Sequence, residues 1–254
     1  MKLSIIVPAH NEEKRIEKTL QEYVKFFEKK FKNNYEIIVI LNGCTDDTLG
    51  IVKKIARKYN AIEYRNYVQA GKGFAITQGL KIAEGDLIGF VDADLSTSPQ
   101  AFYDLVRNIK DYDGIIASRY MKGSIVNPKQ SFARIVASRI FNFLVRVLFL
   151  FSYSDTQCGA KLFKKKTIEK ILPNLTITNW AFDIDLLYQA KKAGLKVKEQ
   201  PTFWQDKGAS KLDLKKTSMQ MFFAVVQLKI LNSKAKIFYK VLRPIGGYIY
   251  KKLR

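Results

Sequence analysis

Along the first half of the chain the apolar positions keep two rhythms in turn. Short, nearly continuous apolar runs occur at residues 2–8 (KLSIIVP), 35–41 (YEIIVIL), 61–65, 86–91 and 114–118, the pattern of strands buried in a sheet. Between them Ile16, Leu20, Tyr23, Val24 and Phe27, then Leu49, Val52 and Ile55, recur at helical spacing. A glycine-flanked lysine in QAGKGF (residues 69–74) opens a helix to about residue 83, and Pro99 opens another to about residue 110. Asn11 is placed to cap the first helix, with Glu12 and Glu13 in its first turn. Regular alternation of strand and helix predicts an α/β layer built on a mostly parallel sheet flanked by helices. In open sheets of this kind ligands bind at the carboxyl ends of the strands, where Pro8, Asn42 and the pair Asp92/Asp94 fall.

The second half changes character. Residues 121–154 hold no acid but five bases, Lys122, Lys129, Arg134, Arg139 and Arg146. They flank a wide apolar face that includes Phe132, Val136, Ile140, Phe143, Val147 and Phe151. DTQCGAKLF (residues 155–163) leads through a basic turn to a helix in WAFDIDLLYQAKKAG ending at Gly194, and residues 196–200 form a short strand before Pro201. From residue 207 to the end there are twelve bases and one acid, Asp213, with apolar residues in helical bursts. The chain divides on this reading into an α/β domain, residues 1–210, and a basic amphipathic helical region, residues 211–254.

Charge sharpens the picture. The net charge of +21 over 254 residues favours anionic partners: nucleic acid, anionic lipid or phosphorylated substrates. Cys44 and Cys158 are too far apart for a disulfide framework or a zinc spacing, which suits a reducing compartment. The apolar start is short and runs into charge, unlike a secretory signal. The longest apolar run, residues 140–151, is broken by Asn142 and Arg146, so no transmembrane helix is expected. The basic amphipathic stretches either pack on the α/β domain, lie in a membrane interface or bind nucleic acid. An acid-free segment so apolar on one side favours lipid over nucleic acid, and no nucleic-acid partner is expected.

The chemistry concentrates in DLIGFVDADLS. Asp92 and Asp94 are separated only by Ala93, and on an extended chain side chains two apart point the same way. Two like charges so close repel unless a cation sits between them; a hard divalent ion is one answer, and a solvated acidic turn at a strand end is the other. Gly71-Lys72-Gly73 could approach a phosphate or merely start a helix, and it lacks P-loop spacing. Asn42-Gly43 reads equally as a turn. His10 is the only histidine, which excludes a histidine-based metal site or triad. Asp183 and Asp185 sit at a helix start, where acids suit the dipole; they do not share a face, so at most one serves a given site.

In order, SIIVPAHNEEKRI, VILNGCTDDT, AGKGFA and FVDADLS resemble family 2 glycosyltransferases of the GT-A fold. DTQCGAKLFKK and WAFDIDLLYQAKKAG look like the dolichyl-phosphate glucosyltransferase branch, related to dolichol-phosphate mannose synthases. The likeness spans roughly residues 1–210. It implies transfer of a hexose from a nucleotide sugar, UDP-glucose first and GDP-mannose as the alternative, to polyprenyl (dolichyl) phosphate by a peripheral enzyme at the cytoplasmic face of an anionic membrane. Pro8, Ala9 and Glu12 would line the nucleotide pocket, Asn42, Gly43 and Asp47 would meet base and ribose, and Lys72 with Gly73 would lie near the nucleotide. Asp92 and Asp94 would hold Mg²⁺ or Mn²⁺ against the pyrophosphate. Two departures stand out: Asn42 replaces the aspartate of many relatives, and Ser96 the glutamine common in mannose synthases. A monophosphate acceptor, with a second pKa of about 6, is largely dianionic near neutral pH and needs placement, for which Arg119, Lys122 and Arg134 are candidates. A hydroxyl acceptor would need a general base, for which Asp183 is the candidate.

Overall fold

The computed structural model describes residues 1–128, 132–176, 181–205 and 214–233. Its order is β1 (Leu3–Ala9), α1 (Ile16–Phe31), β2 (Tyr35–Asn42), α2 (Thr48–Lys58), β3 (Ile62–Tyr67), α3 (Lys72–Ile82), β4 (Leu87–Phe90), α4 (Pro99–Asn108) and β5 (Gly114–Ser118). Then come β6 (Ile125–Asn127), α5 (Phe132–Phe149), β7 (Lys161–Lys164), α6 (Lys165–Ile171), α7 (Phe182–Lys192), β8 (Val197–Pro201), β9 (Phe203–Gln205) and α8 (Leu214–Leu231).

Seven strands form one sheet in the order β3-β2-β1-β4-β7-β5-β8. All neighbours pair in parallel except β7, which is antiparallel to both β4 and β5. Every residue of β1 is buried because the sheet is covered on both faces. Leu3, Ile5, Val7 and Ala9 point to a core with α1, α2 and α4, while Ile6 meets α3, α7 and, further along, α5 and α8. On the first face Tyr23, Phe27, Phe102 and Tyr103 form an aromatic cluster with centroid separations of 5.9–6.4 Å, within the range for favourable edge and offset contacts.

Two local expectations are corrected. Asn11 does not cap α1: it adopts φ 55°, and the helix begins at Ile16 without a side-chain cap. Instead Asn11 Oδ1 accepts from the Thr45 backbone N–H at 2.8 Å, so its amide joins the β1–α1 loop to the β2–α2 loop. The sequence also gave no sign of β7, four residues with lysines at both ends. Its first lysine is fully buried, a position a lysine holds only with a partner. By contrast α4 starts as its sequence dictates, with Ser98 Oγ accepting from Ala101 N–H and Pro99 in the first turn.

A second, two-stranded sheet pairs β6 with β9. It is joined to the loop after β4 by a bridge between Thr97 and Trp204 and by Gln205 N–H donating to Ser96 O at 2.8 Å. Of the basic C-terminal region, α8 is described and packs on α5 through Ala224, Val225 and Leu228; residues 234–254 lie outside the described residues, as do Lys129 and Trp180. Among the described residues no helix is long and apolar enough to cross a membrane.

Candidate active site at the carboxyl ends of the strands

Where β1 and β2 end, backbone and amide groups interlock. Pro8 and Ala9 are buried strand residues, so they reach a ligand only through the backbone. Asn42 is 2% exposed; its Nδ2 donates to Ala9 O at 2.9 Å, and its Oδ1 accepts from Gly71 N–H at 2.9 Å. These two bonds use the side chain of Asn42 as a tie. It fastens the end of β1 to the start of α3, which explains why an amide, with both a donor and an acceptor, stands there. Exposed His10 donates from Nδ1 to Asn42 O at 2.7 Å. Gly43 holds φ 63°, and a Cβ there would meet Ala70 Cβ at 2.9 Å, a close approach only glycine permits. Asp47 is exposed at the start of α2. Its neighbour Asp46 makes the capping bonds to Thr48.

Glu12 forms a two-pronged pair with Arg15 at 2.7 and 2.9 Å. Burial nevertheless pushes its carboxyl above the ordinary value, against Arg15 and with help from the negative charges of Asp94 and Asp92. Glu12 thus feels the charge of both acids of the β4 loop.

Beyond β4, which ends at Phe90, the chain does not stay extended as expected: Asp92 lies in coil and Asp94 in a turn. Val91 and Ala93 are buried while Asp92 and Asp94 are half-buried, so both carboxylates leave the core on the open side. Leu95 at φ 59° turns the chain sharply, and Asp94 Oδ1 accepts from Ser96 N–H at 2.9 Å. Among the described residues the buried Ser96 Oγ has no partner. Lys72, the first residue of α3, reaches back to form an ion pair with Asp92; the side chains are 40% and 34% exposed. Gly71 sits before it at φ 141°, a backbone state reserved for glycine. On the other flank Gly159 lies so close that a Cβ would be 1.9 Å from Asp92 Oδ2. Burial raises the Asp92 carboxyl, but Lys72, with Lys161 and Arg119 behind it, outweighs burial and holds it below the ordinary value. Burial alone would lower the Lys72 ammonium; Asp92, Asp183 and Asp94 together raise it instead.

Behind this pair lies a second. Lys161, wholly buried, donates to Asp183 Oδ1 at 2.5 Å and to Cys158 O at 2.7 Å, 5.4 Å above the Phe90 ring. Asp185 turns away, accepting from Thr176 N–H and Gln189 Nε2. Of the two helix-start acids, then, only Asp183 faces the cluster.

The basic candidates divide. Arg119 is clamped by Asp155 through Nε at 2.7 Å and Nη2 at 3.0 Å, with its guanidinium 5.4 Å from the Trp204 ring. Arg139, on α5, lies 5.2 Å from the Tyr120 ring. Lys122 is exposed and Arg134 half-buried near the start of α5. Tyr120 Oη donates to Ser138 Oγ at 2.7 Å, and Asn142 Oδ1 accepts from Thr156 N–H and Oγ1 at 3.0 Å. These bonds fasten α5 to the loops carrying Arg119 and Asp155. Among the described residues the outer side of α5 stays bare: Phe132, Ile140 and Phe143 are 82%, 57% and 62% exposed.

Asp155, Gly159 and Lys161 were not assigned roles from sequence. All three lie in the DTQCGAKLF string. The buried Lys161 and the glycine beside Asp92 become meaningful only once β7 is seen to run next to β4.

Comparison with known proteins comes last. The model of glycosyl transferase family 2 matches residues 4–172. The dolichyl-phosphate beta-glucosyltransferase of Dictyostelium discoideum is 34% identical over 240 residues, 89% of this chain and 73% of that protein. Its Drosophila melanogaster counterpart is 34% identical over 226 residues, 84% of this chain and 69% of that one. Among solved structures, glucosyl-3-phosphoglycerate synthase from Mycobacterium tuberculosis in complex with Mn²⁺, uridine-diphosphate-glucose and phosphoglyceric acid superposes with a TM-score of 0.66 at 17% identity, covering 92% of this chain and 81% of that one.

Proposed function

The chain belongs to glycosyl transferase family 2, and from that membership and its GT-A fold we propose that it transfers glucose from UDP-glucose to dolichyl or another polyprenyl phosphate at the cytoplasmic face of a membrane. The observation that carries this reading is a juxtaposition. Paired, outward-facing carboxylates end β4, and the loops beside them are bonded to a helix whose outer face is apolar and bare. The Dictyostelium and Drosophila relatives are named for that acceptor and that sugar.

Asp92 and Asp94 suit a hard divalent cation. Their donors are all oxygen, and two half-buried carboxylates would fill only part of an octahedral shell, the remainder falling to water and phosphate oxygens. The cation, Mg²⁺ or Mn²⁺, would stabilise negative charge on the departing diphosphate. The chain's own residues do the rest. His10, Glu12 and the loop at Gly43 border the nucleotide end, Lys72 faces the diphosphate, and Asp183 lies within electrostatic reach of Lys72.

The Lys161 clamp argues for a phosphate acceptor over a hydroxyl one. A base at Asp183 would become neutral on taking a proton, stranding the buried Lys161 ammonium without its counter-charge, and breaking a buried pair in this way is strongly unfavourable. An acceptor phosphate arrives ionised and needs no base. Arg119, spent on Asp155, shapes the acceptor side, while Lys122, Arg134 and Arg139 supply positive charge at its mouth.

The apolar face of α5, with Arg139 and Arg146 exposed beside it, suits the interface of an anionic bilayer and brings the enzyme to an acceptor dissolved there. The test is transfer of labelled sugar to polyprenyl phosphate in vesicles, with UDP-glucose, GDP-mannose and a soluble hydroxyl acceptor as parallel arms. Lipid-linked glucose that disappears with EDTA and with Asp94→Ala is the expected result. Transfer only from GDP-mannose, only to the hydroxyl acceptor, or undiminished in folded Asp94→Ala overturns the corresponding part.

A further inference from the structure

Lys72 and a divalent cation have claims on the same carboxylate. The ammonium of Lys72 pairs with Asp92 Oδ1, while Oδ2 of that carboxylate lies against Gly159. Asp94, the second acid, makes no ion pair among the described residues. The neighbouring charges are already matched, Lys161 to Asp183, Arg119 to Asp155 and Arg15 to Glu12. With Lys72 in place, the open side of β4 therefore carries one unmatched negative charge, too little to hold a doubly charged ion that must also lie beside an ammonium.

We propose that Lys72 is an exchangeable counter-ion that holds Asp92 in the empty enzyme and hands it to the metal only when a nucleotide diphosphate arrives to take Lys72 in turn. This rests on the metal reading given above. The exchange is chemically simple. A lysine ammonium is a flexible point charge that binds phosphate oxygens well, and the stem of Lys72 starts at the first turn of α3, whose N-terminal end itself attracts anions. No new residue has to move into the site, and both side chains are more than a third exposed. An alkyl ammonium keeps its proton at neutral pH, so Lys72 stays cationic whether it faces Asp92 or a phosphate oxygen. Metal and diphosphate then strengthen each other's binding by the same factor, and metal alone binds weakly. After transfer, departure of the diphosphate frees Lys72 to reclaim Asp92, which expels the ion.

The experiment measures Mn²⁺ binding to the full chain by electron paramagnetic resonance, with and without UDP, for wild type, Lys72→Met and Lys72→Arg. Wild type is expected to bind Mn²⁺ at least about 100-fold more tightly with UDP present than without. Lys72→Met removes the competitor and should bind Mn²⁺ alone about tenfold or more tighter than wild type, with a correspondingly smaller gain from UDP. Lys72→Arg keeps a cation and should stay weak without UDP. If Lys72→Met binds Mn²⁺ alone no better than wild type while wild type still binds Mn²⁺ with UDP, the exchange is wrong and the metal site stands. If wild type binds no Mn²⁺ even with UDP, the metal reading itself falls and takes the exchange with it. Crystals of wild type with and without Mn²⁺ and UDP give an answer independent of any variant: Lys72 still on Asp92 in the complex overturns the proposal.

Discussion

Replacing Asp183 by asparagine separates a structural role from a catalytic one. Lys161 is wholly buried, and its ammonium touches Asp183 Oδ1 at 2.5 Å, the Cys158 carbonyl at 2.7 Å and the Phe90 ring face at 5.4 Å. Only the first is a directly bonded negative charge. Asp183→Asn keeps the shape and an acceptor oxygen but deletes that charge. Removing one partner of a buried pair costs about 3–5 kcal/mol; the carbonyl, the ring and the amide oxygen remain, so the low end, about 3 kcal/mol, is expected. For a chain of this size that corresponds to a fall in Tm of roughly 6–12 °C. Lys161→Met in the same chain removes the stranded cation, and the double variant should regain about half of the loss or more. Urea unfolding followed by circular dichroism, without nucleotide, gives all the required midpoints. Asp183→Asn with wild-type stability, or a double variant whose loss is the sum of the two single ones, would refute the reasoning. Unchanged stability with abolished turnover would restore Asp183 as a base.

Three further outcomes follow from other parts of the molecule. Gly159→Ala puts a methyl where Asp92 Oδ2 now lies, so the carboxylate must swing away; activity should fall by about 100-fold or more while the fold loses about 1–3 kcal/mol, measured by transfer rate and Tm. Burial raises the Asp155 carboxyl, but Arg119 outweighs it and holds it below the ordinary value. Its contribution to stability is then fully present above the unfolded carboxylate pKa of about 3.9 and lost as pH falls through the lower folded value; urea midpoints between neutral and acid pH should show this acid loss in wild type and a shallower one in Asp155→Asn. Phe143→Asp, on the bare face of α5, should cut co-flotation with anionic liposomes several-fold at unchanged Tm, and undiminished flotation would move the membrane contact elsewhere.

The sheet was legible because covered strands cannot alternate: β1, β2 and β5 read as apolar runs, and the helices between them as spaced apolar positions. The acidic pair was legible as two carboxylates just past a buried strand, but the turn over residues 93–95 that sets their directions, with Leu95 at φ 59°, was not. What stayed hidden depends on partners distant in sequence. Lys161 is buried because Asp183 lies 22 residues on, and no window around KLFK contains that fact. The partners of the Asn42 amide were hidden in the same way: they are Ala9 and Gly71, and Gly71 arrives from 29 residues away. Asn11 has the composition of a cap, but the chain spends a turn before α1, and its side chain goes to Thr45. The bare face of α5 was visible in its composition, whereas its fastening through Tyr120 and Asn142 was not.

The bridge between Thr97 and Trp204 and the bond from Gln205 to Ser96 have an implication for how such an enzyme changes its customers. The strip that holds Trp204 against Arg119 is stitched to the very loop that carries Asp94. Swapping that strip for one from a relative with a different recipient would tug on the donor end as well. On the acceptor role proposed for Arg119, altering the recipient would demand matched changes around the acids, with the two loops treated as one inherited piece.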